Sequence, residues 1–126
     1  LLLDTNALLW FVTGDKRLGQ KAKRLIHQAN TISFSSISIL ELEIKRAIGK
    51  LSLPTNFGEQ LTEQGFVEIP FKASHAEFIN EFQTLSSHDP FDRAILASAK
   101  AEGLILLTSD EKLLSLGLPF VIDSQE

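Results

Sequence analysis

Cysteine is absent from the 126 residues, which excludes disulfides, thiolate nucleophiles and any zinc or iron–sulfur centre held by Cys. Histidine is scarce, and no two of His27, His75 and His88 stand at a metal-ligand spacing. Long apolar runs are missing as well: the longest, from Ala7 to Val12, is far too short to cross a bilayer. No charged stretch leading into an apolar run and a small-residue cleavage site opens the chain, so no secretory signal is expected. These absences predict a reducing, cytoplasmic setting and no membrane.

What is present fits one domain over residues 1–126, with 44% hydrophobic residues to fill a core. The net charge is −4, unevenly spread: residues 1–50 carry eight Lys/Arg against four Asp/Glu, and the remainder four against twelve. A polyanion can dock on the first half despite the acidic total, although the basic cluster at 16–24 also reads as an ordinary solvated helix face.

Apolar periodicity alternates between strand and helix. Strands are expected at 1–3, 31–34, 66–69, 104–107 and 120–122. Helices are expected at 7–13, 19–30, 36–48, from Pro54 to about Gln64, 73–85 (Ala76, Ile79 and Phe82 inward), 89–102 and from Glu111. Asp89 would cap the sixth helix with Pro90 at its first position, and Gly49 would close the third. This alternation predicts an α/β sandwich around a mostly parallel sheet.

In such a sheet the carboxyl ends of the strands and the starts of the following helices share one edge, where ligands bind. Four acids fall there. Asp4 follows the first strand in "LLLDTN", Glu41 lies in the first turns of the helix in "SISILELEIK", Asp92 lies in the first turn of "DPFDRAILASA", and Asp110 follows the fourth strand in "LILLTSDEKLL". Capping accounts for each singly: Ser38-x-x-Glu41 matches a capping box, Asp89-x-x-Asp92 resembles one, and Asp110 can cap the next helix. Capping does not explain why so many junctions along one edge use an acid. Clustered carboxylates repel and take up protons unless cations neutralise them. Oxygen donors without His or Cys select Mg²⁺ or Mn²⁺, which activate water and stabilise charge on a phosphodiester. Asp4 is then a metal ligand on a buried strand, with Thr5 and Asn6 orienting it and the bound waters; a simple turn and cap is the alternative for Thr5-Asn6.

These motifs together resemble the PIN domain, and more closely the VapC-like toxins of bacterial toxin–antitoxin pairs. The resemblance spans nearly the whole chain, through "LLLDTNALLW", "SISILELEIKRAIGKLSLP", "HDPFDRAILASAKAEGLILLTSDEKL" and the closing "VID". It implies a three-layer α/β/α sandwich and a metal-dependent endoribonuclease that inhibits translation by cutting RNA. It also implies a homodimer held silent by a cognate antitoxin. By that resemblance the catalytic and metal-binding acids are Asp4, Glu41, Asp92 and Asp110, with Glu41 matching the glutamate four residues before the motif's lysine, here Lys45. Glu43 lies where related sequences carry a small or apolar residue, and Leu40 where an aromatic is common. A two-residue step turns a helical side chain by about 200°, so only one of Glu41 and Glu43 can face the site. Glu41 is chosen because Leu40, Ile44 and Ile48 then form an apolar stripe on an adjacent flank. Arg93 and Lys45 are candidate contacts to RNA phosphate, and a surface ion pair is the competing use of Arg93.

Three rivals follow from the same residues. A haloacid-dehalogenase-type phosphohydrolase needs a second acid two residues after the first, where Asn6 stands. A receiver-like domain needs paired early acids and a central phosphoacceptor Asp, and the chain has neither. A PIN-like scaffold that binds RNA without cutting it would not need all four acids.

Overall fold

In the computed structural model of the protein, which describes residues 1–85 and 88–126 (backbone alone over 83–85), the opening leucines form the middle strand of the sheet. Strands β1 (Leu2–Leu3), β2 (Ser33–Ser35), β3 (Val67–Ile69), β4 (Leu106–Thr108) and β5 (Val121–Asp123) stand in the order β3-β2-β1-β4-β5. Every pairing is parallel, with Leu3 opposite Phe34 on one side and Leu107 on the other. Among the described residues seven α-helices connect them: α1 (Thr5–Thr13), α2 (Gln20–Gln28), α3 (Ser36–Ala47), α4 (Phe57–Glu63), α5 (Ala73–Glu77), α6 (Pro90–Glu102) and α7 (Glu111–Ser115).

Alternation along the short strands sorts the core into two layers. Leu3, Phe34 and Leu107 project to the face covered by Leu8 of α1, Ile26 of α2 and Leu61 of α4. Leu2 and Leu106 project to the opposite face, against Ile95, Leu96 and Ala99 of α6 and Leu113 of α7. Each fully buried Leu or Ile contributes roughly 1.5–3 kcal/mol. The result is a three-layer α/β/α sandwich whose central strand is shielded on both faces.

The strands sit one or two positions later than apolar pattern alone places them. The ladder starts where the neighbours of β1 come into register, and the residues before it still bond across: Leu2 donates to Ile105 O (2.8 Å) and Val67 to Ile32 O (2.9 Å). Helix α1 opens at Thr5 rather than Ala7, with no intervening turn, because Asp4 itself is the N-cap. It closes on Gly14, whose φ of +67° favours a residue without Cβ. In α3 the cap is Ser35, accepting from the Ile37 amide, so Ser38 lies inside the helix and the expected Ser38–Glu41 capping box does not form. The single helix expected over 73–85 is broken: α5 ends at Glu77 and a 3₁₀ segment, Phe78–Leu85, follows. Phe82 leaves helical dihedrals (φ −111°, ψ 56°) and its side chain packs against the α6-side core. Among the described residues no helix is long and apolar enough to cross a membrane.

Candidate active site

The carboxyl edge of the sheet receives an acid from each side of its middle. Asp4 follows β1 directly and is only 5% exposed. Its Oδ1 accepts the Ala7 amide at 2.8 Å and its Oδ2 accepts the Thr108 hydroxyl at 2.6 Å. Thr108 ends β4, and its oxygen in turn accepts the Asp110 amide at 3.1 Å. Asp110 caps α7 through Oδ1, which accepts the Leu113 amide, and leaves Oδ2 directed to the site. Asp92 enters from the first turn of α6, itself started by Asp89, which accepts the Phe91 amide. Asp4, Asp92 and Asp110 line one cavity of about 420 Å³, together with Asn6, His88 and Lys112. Asn6 is exposed at its wall. Lys112 is exposed as well and, among the described residues, pairs with none of these acids.

Glu41 does not line this cavity, although its charge acts on Asp4. Its Oε1 is 2.7 Å from Thr5 Oγ1 and its Oε2 is 3.2 Å from Lys45 Nζ. Thr5 has one proton to give, so it donates to the carboxylate and accepts from Ser38 Oγ, 2.9 Å away. Thr5 therefore orients Glu41, while Thr108 and the Ala7 amide orient Asp4. Lys45 is engaged by Glu41 rather than free. Glu43 points elsewhere, exposed and paired with Arg46. The stripe of Leu40, Ile44 and Ile48 on the same helix faces solvent, 45–62% exposed. Arg93 is half-buried, and its Nε is buried with no hydrogen-bond partner among the described residues.

The electrostatics are those of one negatively charged group. Burial pushes Asp4 up to about 6, against the pull of its two hydrogen bonds, and the charges of Glu41 and Asp110 raise it further. Burial, followed by the charges of Asp110, Asp89 and Asp4, pushes Asp92 up to about 8. Asp110 is held below its ordinary value despite burial by the Leu113 amide, His88 and a proton shared from Asp92. The acids thus sense one another although they lie as much as 106 positions apart.

Two residues of this site escape a reading of the sequence for acids. Thr108 is a hydroxyl at the end of a buried apolar strand, two positions before Asp110, and that placement is its only signal. His88 brings Nε2 to 3.0 Å from Asp110 Oδ2 and 3.4 Å from Asp92 Oδ2. The three side chains offer one donor atom each, all within 4.8 Å of one another. A sequence criterion of two histidines at ligand spacing does not register a single histidine set among carboxylates.

Fold and site together define a parallel α/β domain with an acidic centre at the carboxyl edge of its sheet. The PIN domain model matches residues 1–117, and the chain belongs to the PIN domain family. A search of curated proteins returns no match. Among solved structures, VapBC2 from Rickettsia felis bound to a DNA fragment from their promoter is similar at 23% identity and a TM-score of 0.68, covering 96% of this chain and 94% of that one. A toxin–antitoxin complex from Klebsiella pneumoniae is similar at 21% identity and a TM-score of 0.66, covering 98% and 96%. FitAcB from Neisseria gonorrhoeae is similar at 20% identity and 0.62, again covering 98% and 96%.

Proposed function

We propose that the protein is a metal-dependent endoribonuclease, the toxin of a toxin–antitoxin pair, which inhibits translation by cutting RNA. The observation that carries this reading is the gathering of Asp4, Asp92 and Asp110 around one cavity, with Asp4 and Asp92 held at about 6 and about 8. Carboxyls so placed are short of positive charge, which fits a divalent cation better than an empty structural role. Asp4, Asp92 and Asp110 would hold Mg²⁺ or Mn²⁺, and Glu41, steadied by Thr5 and Lys45, would complete the site. When bound, the ion supplies charge neutralisation and an activated water for attack on a phosphodiester.

The chain's own residues supply the rest. Asp4 and Asp110 are fixed through a shared hydroxyl on rigid backbone, so they keep their geometry as substrate arrives. Glu41 can orient a water or accept its proton. Arg93 and Lys45 are the candidate phosphate contacts, Lys45 after exchanging its partner Glu41 for the substrate. The likeness to toxin–antitoxin complexes supports an antitoxin as protein partner, and we take the active species to be a cytoplasmic homodimer. Purified protein should cut RNA with Mg²⁺ or Mn²⁺ and stop with chelator. Full cleavage by Asp4→Asn and Asp92→Asn variants would defeat the proposal.

A further inference from the structure

We propose that His88 is a nitrogen ligand of the metal centre and biases it toward first-row transition ions, Mn²⁺ among them, over Mg²⁺. The inference rests on the metal site proposed above. Adjacent ligands of one octahedral ion stand about 3.0 Å apart when each lies about 2.1 Å from it. His88 Nε2 is 3.0 Å from Asp110 Oδ2 and 3.4 Å from Asp92 Oδ2, the separations of neighbouring donors around a common point. The imidazole side chain is 13% exposed and lines the same cavity as Asp4.

The fully buried histidine of the chain shows what a purely structural ring does. His75 accepts the Lys72 amide at Nδ1 (3.3 Å) and donates from Nε2 to Glu102 (2.8 Å), so both nitrogens are committed and the tautomer is fixed. His88 bonds through Nε2. Among the described residues nothing bonds its Nδ1, so the ring proton can sit there while Nε2 meets an ion. An all-oxygen set suits Mg²⁺, whereas an imidazole in the set favours ions along the series that begins with Mn²⁺. His88 also arrives from the residues preceding α6, so the ligand comes from the same turn as Asp92 without any added element.

The test uses Mn²⁺ and Mg²⁺ as probes on the intact protein and reads binding rather than cleavage. Pulsed electron paramagnetic resonance of Mn²⁺-loaded protein should show coupling to one imidazole nitrogen, lost in His88→Gln and kept in His75→Gln. Calorimetric titration should show Mn²⁺ affinity falling about tenfold or more in His88→Gln while Mg²⁺ affinity changes less than about twofold. Mn²⁺ binding to the unaltered protein without nitrogen coupling would overturn the inference and leave the metal site standing. So would equal losses for both ions, or tighter Mn²⁺ binding by His88→Gln, which would make the ring a mere occupant of the ion's place. Uptake of neither ion would sink the metal site itself.

Discussion

The hydroxyl of Thr108 donates to Asp4 across 104 positions of sequence and, through the same oxygen, accepts the amide of Asp110. One small side chain thus sets the orientation of one acid and the backbone position of another. Thr108→Val keeps the shape and removes the bonds. Metal affinity and RNA cleavage should fall about 10- to 100-fold, and the metal-free protein should lose on the order of 1–3 kcal/mol as Asp4 is left half-partnered in the interior. Thr108→Ser should restore most of both. Calorimetry and urea unfolding of the pair would check it, and a Val variant with unchanged metal affinity would remove Thr108 from the centre.

The raised acids give the metal-free protein a distinctive pH dependence. Asp4 and Asp92 bind protons more tightly folded than unfolded, so their stabilisation is fully present below their ordinary value of 3.8 and is lost as pH rises through about 6 and about 8. Asp110, held low, acts oppositely, its contribution being present above that ordinary value and lost in stronger acid. Between pH 4 and pH 8 the chelated protein should therefore lose a few kcal/mol, as an order of magnitude. Urea titrations with chelator at pH 5 and pH 8 measure the slope; greater stability at pH 8 would contradict it.

Metal should cancel that slope. An ion that binds only the folded state at about 100 times its Kd adds roughly 2.7 kcal/mol. Saturating Mn²⁺ or Mg²⁺ is expected to raise the melting temperature most at pH 8, where the acids are charged.

Asp92→Asn separates stability from function. Without the Asp92 charge, the repulsion among Asp4, Asp89 and Asp110 eases, so the chelated variant at pH 8 should be at least as stable as the parent. Its cleavage should drop by about two orders of magnitude or more, as an interaction needed for the reaction is removed. Thermal melts and a cleavage assay on one preparation report both.

The two glutamates of α3 should behave differently. Glu41 is held by Thr5 at 2.7 Å, while Glu43 is exposed and paired with Arg46. Glu41→Gln should lower cleavage by about 10- to 100-fold; Glu43→Gln should leave cleavage intact and shift stability by no more than about 0.5 kcal/mol. Reversed outcomes in the assay would exchange their roles.

Much of this arrangement is legible in the sequence because it depends on chain topology. Apolar triplets followed by acids mark the carboxyl edge of a parallel sheet, and the edge gathers Asp4, Asp92 and Asp110 whatever the details. Local detail is less legible. Asp4 is a helix cap as well as a strand-end acid, which pattern does not reveal because the helix begins one residue later without a turn. Thr5 serves Glu41 because α1 and α3 pack side by side, a tertiary fact. His88 and Thr108 matter through contacts with partners 22 and 104 positions away, and neither residue type is unusual where it stands. Phe82 leaves helical dihedrals where its own periodicity supports a helix, and its partly buried ring packs against a core formed by residues far away in sequence.

The pairing of β1 with β4, rather than with a strand nearer in sequence on that side, has a consequence for how the molecule comes into being. The middle strand is synthesised before its second neighbour, and Asp4 precedes Asp110 by 106 positions. Until β4 has been made, the carboxylates already synthesised have no complete site to line. Completing the cradle therefore means closing a loop of more than 100 residues, and a product cut short before β4 lacks both Thr108 and Asp110.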